Sequence, residues 1–100
     1  MRIVADRNLR EYWRRHPEAI PALTHWRHTV MEAEWTSMPD VLKSFSKAKV
    51  LNGERARFEV AGGNFRLIAA FDFRKQVVFI KFIGTHAEYD AVDALTVSMY

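Results

Sequence analysis

GGNFRLIAAFDFRKQVVFIKFIGTHAEYD, residues Gly62 to Asp90, carries the pattern that decides the fold. A strand sends successive side chains to opposite faces. Counted from Asn64, the residues Phe65, Leu67, Ala69, Phe71 and Phe73 make an unbroken apolar face, with Asn64, Arg66, Ile68, Ala70 and Asp72 on the other. The run from Gln76 to Gly84 splits into Val78, Ile80, Phe82 and Gly84 on one face, and Val77, Phe79, Lys81, Ile83 and Thr85 on the other. Arg74 and Lys75 form the turn between them, so the runs read as neighbouring antiparallel strands. Lys81 is the one charge in its strand, and burying it unpaired is costly. The sheet is therefore expected to place one face on a core and open the other, with Arg66 and Lys81, to an anionic partner or to solvent. The stretch ends in a cluster of Thr85, His86, Glu88, Tyr89 and Asp90, the expected seat of any chemistry.

Upstream, Ala56, Phe58 and Val60 alternate with Arg55, Arg57, Glu59 and Ala61. A shorter run from Lys47 to Leu51 precedes them across Asn52-Gly53, a turn signal because both residues tolerate positive φ. Gly62-Gly63 marks the next turn. At the other end of the chain, Met1 to Ala5 reads as a short strand, and Asp6 or Asn8 as the cap of a first helix. Leu9, Tyr12, Trp13 and His16 hold the spacing of one helical face up to Pro17, and Arg7, Arg10, Arg14 and Arg15 cover the outside. That basic face reads either as a solvated surface or as one that meets phosphate or an acidic protein. A second helix is expected from Pro17 or Glu18 to about Trp35, its apolar side built from Ala19, Leu23, Trp26, Val30 and Ala33, with Pro21 in the first turn. Asp40 to Phe45 reads as one further helical turn after a Ser37–Asp40 loop. His25, His28 and Glu32 have a permissible metal spacing, but no fourth ligand accompanies them and surface histidines are the better reading.

The order is thus an N-terminal strand, a two-helix hairpin and an antiparallel meander: an α+β architecture with the helices on one sheet face. One hundred residues suit a single domain, 1–100, with one core. There is no cysteine, so neither disulfides nor thiolate metal sites support the fold. No signal peptide and no apolar run near 18 residues stand in the sequence, so a cytoplasmic protein with no membrane partner is expected. The net charge of +3 leans mildly toward nucleic acid.

Laid side by side, the strands present Arg55, Arg57 and Glu59, then Asn64 and Arg66, then Lys81, with His86 and Tyr89 at the rim. Such a face suits RNA. Cationic side chains hold phosphates, an aromatic ring stacks on a base, and a histidine can move a proton near neutral pH.

GGNFRLIAAF, VFIKFIG and the closing THAEYD, with DVLKSF from Asp40 and the FEV before the glycine pair, resemble the HigB-type toxins of bacterial toxin–antitoxin modules, within the RelE superfamily. The resemblance spans nearly the whole chain. It implies a RelE-like fold with a short C-terminal helix beginning at His86 and reaching about Leu95. It also implies a metal-independent endoribonuclease without cofactor, which cuts mRNA, commonly on the ribosome, and is restrained by a helix-turn-helix HigA-type antitoxin. In such enzymes the RNA's own 2′-hydroxyl attacks the adjacent phosphorus, so a base, an acid and cations for the developing charge are required. By resemblance, Arg66 takes the phosphate charge and His86 is the acid or base. Tyr89 is the third catalytic candidate, either stacking on a base or only packing, and Lys81 and Arg57 assist in binding RNA. Asn64 either orients substrate or ends its turn, Asp90 caps or partners a basic residue, and Glu59 is either a base or an ion-pair partner. A non-catalytic module that binds RNA, ribosome or antitoxin is the other functional class this scaffold allows.

Overall fold

A computed structural model describes residues 1–100. In chain order the elements are β1 (Arg2–Val4), α1 (Asp6–Arg15), α2 (Ile20–Glu32), α3 (Met38–Ser44), β2 (Lys49–Val50), β3 (Arg55–Val60), β4 (Phe65–Asp72), β5 (Val77–Thr85) and α4 (His86–Asp90). The five strands form one sheet in the order β1-β5-β4-β3-β2. β1 runs parallel to β5, and all other pairs are antiparallel. This is the α+β, RelE-like arrangement expected from the alternation and helix spacings. No helix is long and apolar enough to cross a membrane.

The helices pack on the sheet face that carries Phe58, Phe65, Leu67, Phe71, Val78 and Ile80, against which Leu9, Leu23, Trp26 and Val30 are buried. Phe58 is the centre of an aromatic cluster, with ring centroids 5.4 Å from Trp26, 5.2 Å from Phe45 and 6.3 Å from Phe71, all edge-on. Edge-to-face pairs add to the large apolar area such rings remove from water.

Several boundaries differ from expectation, each for a local reason. Neither Asp6 nor Asn8 caps α1; Ala5 holds the cap position at φ 71, and no side chain caps the helix. The Asp6 carboxylate instead accepts from Arg27 Nε and Nη2 at 2.6 and 2.9 Å, a bidentate pair that ties α1 to α2. The second helix starts after a 3-10 turn over Pro17–Ala19 and ends at Glu32, with Ala33 extended. Leaving the helix early lets Trp35 turn inward onto Phe45 and Phe71. α3 begins at Met38, earlier than expected, because Pro39 is accommodated in a first turn. β2 is reduced to Lys49–Val50, and the Asn52-Gly53 turn avoids positive φ. There the Asn52 carboxamide oxygen accepts the N–H groups of Glu54 and Arg55 at 2.9 and 2.7 Å.

The largest correction concerns β5. Ile68 pairs with Phe82 but Ala69 pairs with Ile80, so Lys81 is an extra residue, a β-bulge. Beyond it the faces exchange: Ile83 joins the core opposite Leu67, and Phe82 and Gly84 move to the face of Ile68 and Arg66. Phe82 and Gly84 therefore do not share the face of Val78 and Ile80.

The second sheet face is also less open than expected. Ile68, Ala70 and Phe82 are buried there, and so is Arg55. α4 stops at Asp90, and the chain after it runs across this face. Arg55 Nη1 donates to the carbonyls of Ala94 and Val97 at 3.1 and 2.8 Å, and the Met99 N–H donates to the Lys81 carbonyl at 2.9 Å. Ile68 and Ala70 would be costly in water, and both are buried on this face.

Candidate active site

Register sets the first row of the site. Glu59, Arg66 and Gly84 lie opposite one another on β3, β4 and β5, on the face away from the helices, and Arg57, Ile68 and Phe82 form the next row. Lys49 pairs with Arg57 and extends that row to the edge. The turn joining β3 to β4 needs positive φ at Ala61, Gly62 and Gly63 (53, 69 and 93°), which brings the Gly63 carbonyl over Arg66. Arg66 Nη1 donates to the carbonyls of Gly63 and Phe65, and the residue is only 8% exposed. Its Nη2 lies 3.7 Å from Glu59 Oε1, and Arg57 Nη2 lies 3.8 Å from the same oxygen. One carboxylate thus serves two guanidiniums and leaves the cluster with positive charge. Arg57 Nε is buried without a partner.

At the other side of the row, Phe82 folds over Gly84: a Cβ there would meet Phe82 Cζ at 2.7 Å and Glu88 Oε1 at 3.1 Å. The helix that follows is started by a capping box. Thr85 Oγ1 accepts the Glu88 N–H at 3.1 Å and Glu88 Oε1 accepts the Thr85 N–H at 2.8 Å. The spacing of Thr85 and Glu88 is the signature of that motif, yet both escaped the sequence reading as structural residues. His86 follows the cap, and its backbone N–H donates to the Asn64 carbonyl at 3.1 Å, which fixes α4 to the start of β4.

One turn on, Asp90 Oδ2 lies 3.2 Å from His86 Nδ1, with both side chains more than half exposed. The two are an i, i+4 pair on the short helix α4. Tyr89 turns back over the sheet, its ring 6.2 Å from that of Phe82 and its centroid 5.9 Å from the Arg57 guanidinium carbon. It both packs and holds a cation.

Arg57, Arg66 and Tyr89 are therefore gathered with Glu59, and His86 stands at the same end of the sheet. Asn64 contributes its carbonyl to α4, and its exposed side chain makes no hydrogen bond. Lys81 is not in the group. It sits three residues before Gly84 on β5, roughly 10 Å away at the strand rise, with Nζ 5.4 Å from the Phe79 ring. Lys49 and Phe82 were missed: Lys49 follows from extending the alternation across the Asn52-Gly53 turn, whereas Phe82 is placed by the bulge alone. Nowhere do three His, Asp or Glu side chains gather as a metal site, His25, His28 and Glu32 included.

On the core side, Tyr12 is stacked on His16 at 4.2 Å, and its buried hydroxyl has no partner. Burial first, and then the Glu88 carboxylate, push its pKa up to about 12. On the outside of α1 the arginines are partly neutralised: Arg7 pairs with Glu11 at 3.1 Å, and Arg10 lies 3.5 Å from Asp6. A separate groove of about 280 Å³ lies between α2, the turn after α3 and β3, lined by Trp26, Phe45, Phe58 and Val60 among others.

Comparison with known families finds one match. The family model for the HigB toxin, the RelE-like toxic component of a toxin–antitoxin system, covers residues 19–92. No curated protein matches the chain.

Proposed function

Because this chain belongs to the HigB toxin family, whose members are toxic components partnered by an antitoxin, we propose that it is a cytoplasmic endoribonuclease acting through the Arg66 and His86 end of the sheet. As one toxin domain, 1–100, it cuts mRNA on the translating ribosome, stops translation, and is held inactive by a helix-turn-helix HigA-type antitoxin. The observation that carries this reading is the His86–Asp90 pair, 3.2 Å apart, at the same sheet end as the Arg57–Glu59–Arg66 cluster.

The chemistry assigned to these groups is transesterification within the RNA. The 2′-oxygen loses its proton and bonds to the adjacent phosphorus, the bond to the 5′-oxygen breaks, and that oxygen gains a proton. A 2′,3′-cyclic phosphate and a 5′-hydroxyl result. His86 Nε2 moves one of these protons while Asp90 steadies the ring at Nδ1. Arg66, through its Nη2 edge, and Arg57 face the charge that grows on the phosphate oxygens. Tyr89, already seated on Phe82 and Arg57, offers its outer ring face to a base. Asn64 shapes the rim, and Lys81 contributes to RNA binding at a distance from the reacting phosphate. No metal or cofactor enters this scheme.

One observation favours the alternative of a non-catalytic binding module: Arg66 is nearly buried, with Nη1 committed to its own backbone carbonyls. Single-turnover cleavage of mRNA by folded Arg66→Ala and His86→Gln variants, with and without ribosomes, separates the two. Loss of roughly 10² or more in rate for each is expected. Full toxicity of both folded variants on induction would overturn the catalytic reading.

A further inference from the structure

We propose that Arg55 is a further RNA-binding residue, a phosphate contact in line with Arg57 and Arg66, and that the C-terminal segment covers it until RNA displaces the segment. The proposal rests on the RNA-cutting reading for its ligand and on independent geometry for its place.

Position comes first. Arg55, Arg57 and Glu59 alternate along β3 on the face away from the helices, and Arg66 stands opposite Glu59 on β4. Arg55 and Arg57 are therefore roughly 7 Å apart at the strand rise, close to the step between neighbouring phosphates of an extended RNA strand. An RNA whose cleaved phosphate lies at Arg66 and whose next phosphate lies at Arg57 would reach Arg55 with the one after.

Charge is the second observation. Arg55 is 8% exposed, and the carboxylate on its face, Glu59, is taken up by Arg57 and Arg66. Its side-chain hydrogen bonds are the two from Nη1 to the Ala94 and Val97 carbonyls, so a guanidinium shielded from water faces neutral acceptors alone. A charge buried in this way is poorly compensated. An anionic acceptor would hold it more strongly than a neutral one does. The two carbonyl oxygens that converge on one nitrogen occupy the place that phosphate oxygens would take.

The third observation is how little fastens the cover. No residue from Ala91 to Tyr100 is buried. Apart from the Arg55 contacts, the segment is bonded to the sheet through the Met99 N–H on the Lys81 carbonyl, and the N–H groups of Thr96 and Val97 close on Asp93 within the segment itself. Hydrogen bonds without apolar burial leave a segment at the low end of local stability. Most of it also lies outside the residues matched to the family, 19–92.

The test uses the full chain and a 2′-O-methyl oligoribonucleotide, which can bind but lacks the attacking hydroxyl. Saturating the unaltered chain with this probe should speed hydrogen exchange at the Met99 amide. Met99→Pro removes that N–H and loosens the cover, and the probe should then bind roughly 3- to 10-fold more tightly, the worth of one hydrogen bond. Adding Arg55→Ala to Met99→Pro should weaken binding roughly tenfold and lower the dependence on log salt by about 0.7, the share of one phosphate. Arg55→Lys in the same background keeps the charge and should restore that slope. Unchanged exchange of the Met99 amide at saturation would overturn the proposal. So would equal tightening by Met99→Pro in the unaltered and Arg55→Ala chains, since the segment would then only crowd the face. Either result in a chain that still cleaves mRNA and arrests growth leaves the toxin reading intact. A chain that does neither and fails to hold the probe would overturn both readings together.

Discussion

Replacing Arg55 by Ala asks whether one side chain holds the last ten residues on the sheet. Arg55 is 8% exposed, forms no ion pair, and spends Nη1 on the carbonyls of Ala94 and Val97. Hydrogen bonds from a charged donor contribute about 1.5–3 kcal/mol each. Here one nitrogen serves both acceptors, and its removal also recovers the cost of burying an uncompensated charge. The net loss should therefore sit near about 2 kcal/mol rather than at the sum of the two bonds. For a chain of this size that is a fall in Tm of roughly 8–16 °C. Urea denaturation gives the free energy, and hydrogen exchange at the Met99 amide, bonded to the Lys81 carbonyl, gives the local consequence. In a chain ending at Asp90, Arg55→Ala should cost almost nothing further, because its partners are gone. A loss below about 0.5 kcal/mol in the full chain, or a Met99 amide that stays protected, would refute the reasoning.

Gly84→Ala should lower Tm by several degrees, since its Cβ would meet Phe82 Cζ at 2.7 Å, and a second change, Phe82→Leu, should recover part of the loss. Glu59→Gln removes the carboxylate shared by Arg57 and Arg66. RNA binding should tighten and single-turnover cleavage should fall less than about tenfold, whereas a general base would cost roughly 10²–10⁴. Asp40 is held below the ordinary carboxylate range, first by the Thr36 backbone N–H and then by its hydroxyl. A lowered folded-state pKa means that its stabilisation is present above the ordinary range and lost as pH falls through the folded value. Thermal melts in acid should accordingly show a shallower loss of Tm for Asp40→Asn than for the unaltered chain.

What the sequence reveals depends on whether a polar residue marks each face. β4 was legible because Arg66 and Asp72 alternate with Phe65, Leu67 and Phe71, and α1 because Leu9 and Tyr12 recur among arginines. The bulge at Lys81 was not, since Phe82 and Ile83 are both apolar and both buried, and an exchange of faces between them leaves no trace in hydrophobicity. The C-terminal segment was equally hidden. It is anchored through carbonyls of Ala94 and Val97, groups every residue carries, and its partner Arg55 looks like any surface arginine in a strand. In the candidate site, the resemblance singled out Arg66, His86 and Tyr89, and the i, i+4 spacing of His86 and Asp90 permitted their pairing. Lys81 was read from alternation that the bulge interrupts, which is why it stands apart from the others.

The edge pairing of β1 with β5 has a consequence for when this molecule becomes a molecule at all. Arg2, Ile3 and Val4 have no strand partner until Val77, Val78 and Phe79 exist, and Met99 joins the same strand farther along. Nearly the whole chain must be synthesised before its first strand can be placed. Closing so long a loop is entropically unfavourable and slow compared with the β3–β4 and β4–β5 turns. The local meander should therefore assemble first and the N-terminal strand last, an order that pulse-labelled exchange during refolding would display as late protection of β1. His86 and Tyr89 follow β5 and take their places on the sheet only once it has docked. A chain still short of β5 thus lacks both the partner of its first strand and the His86–Tyr89 end of the sheet.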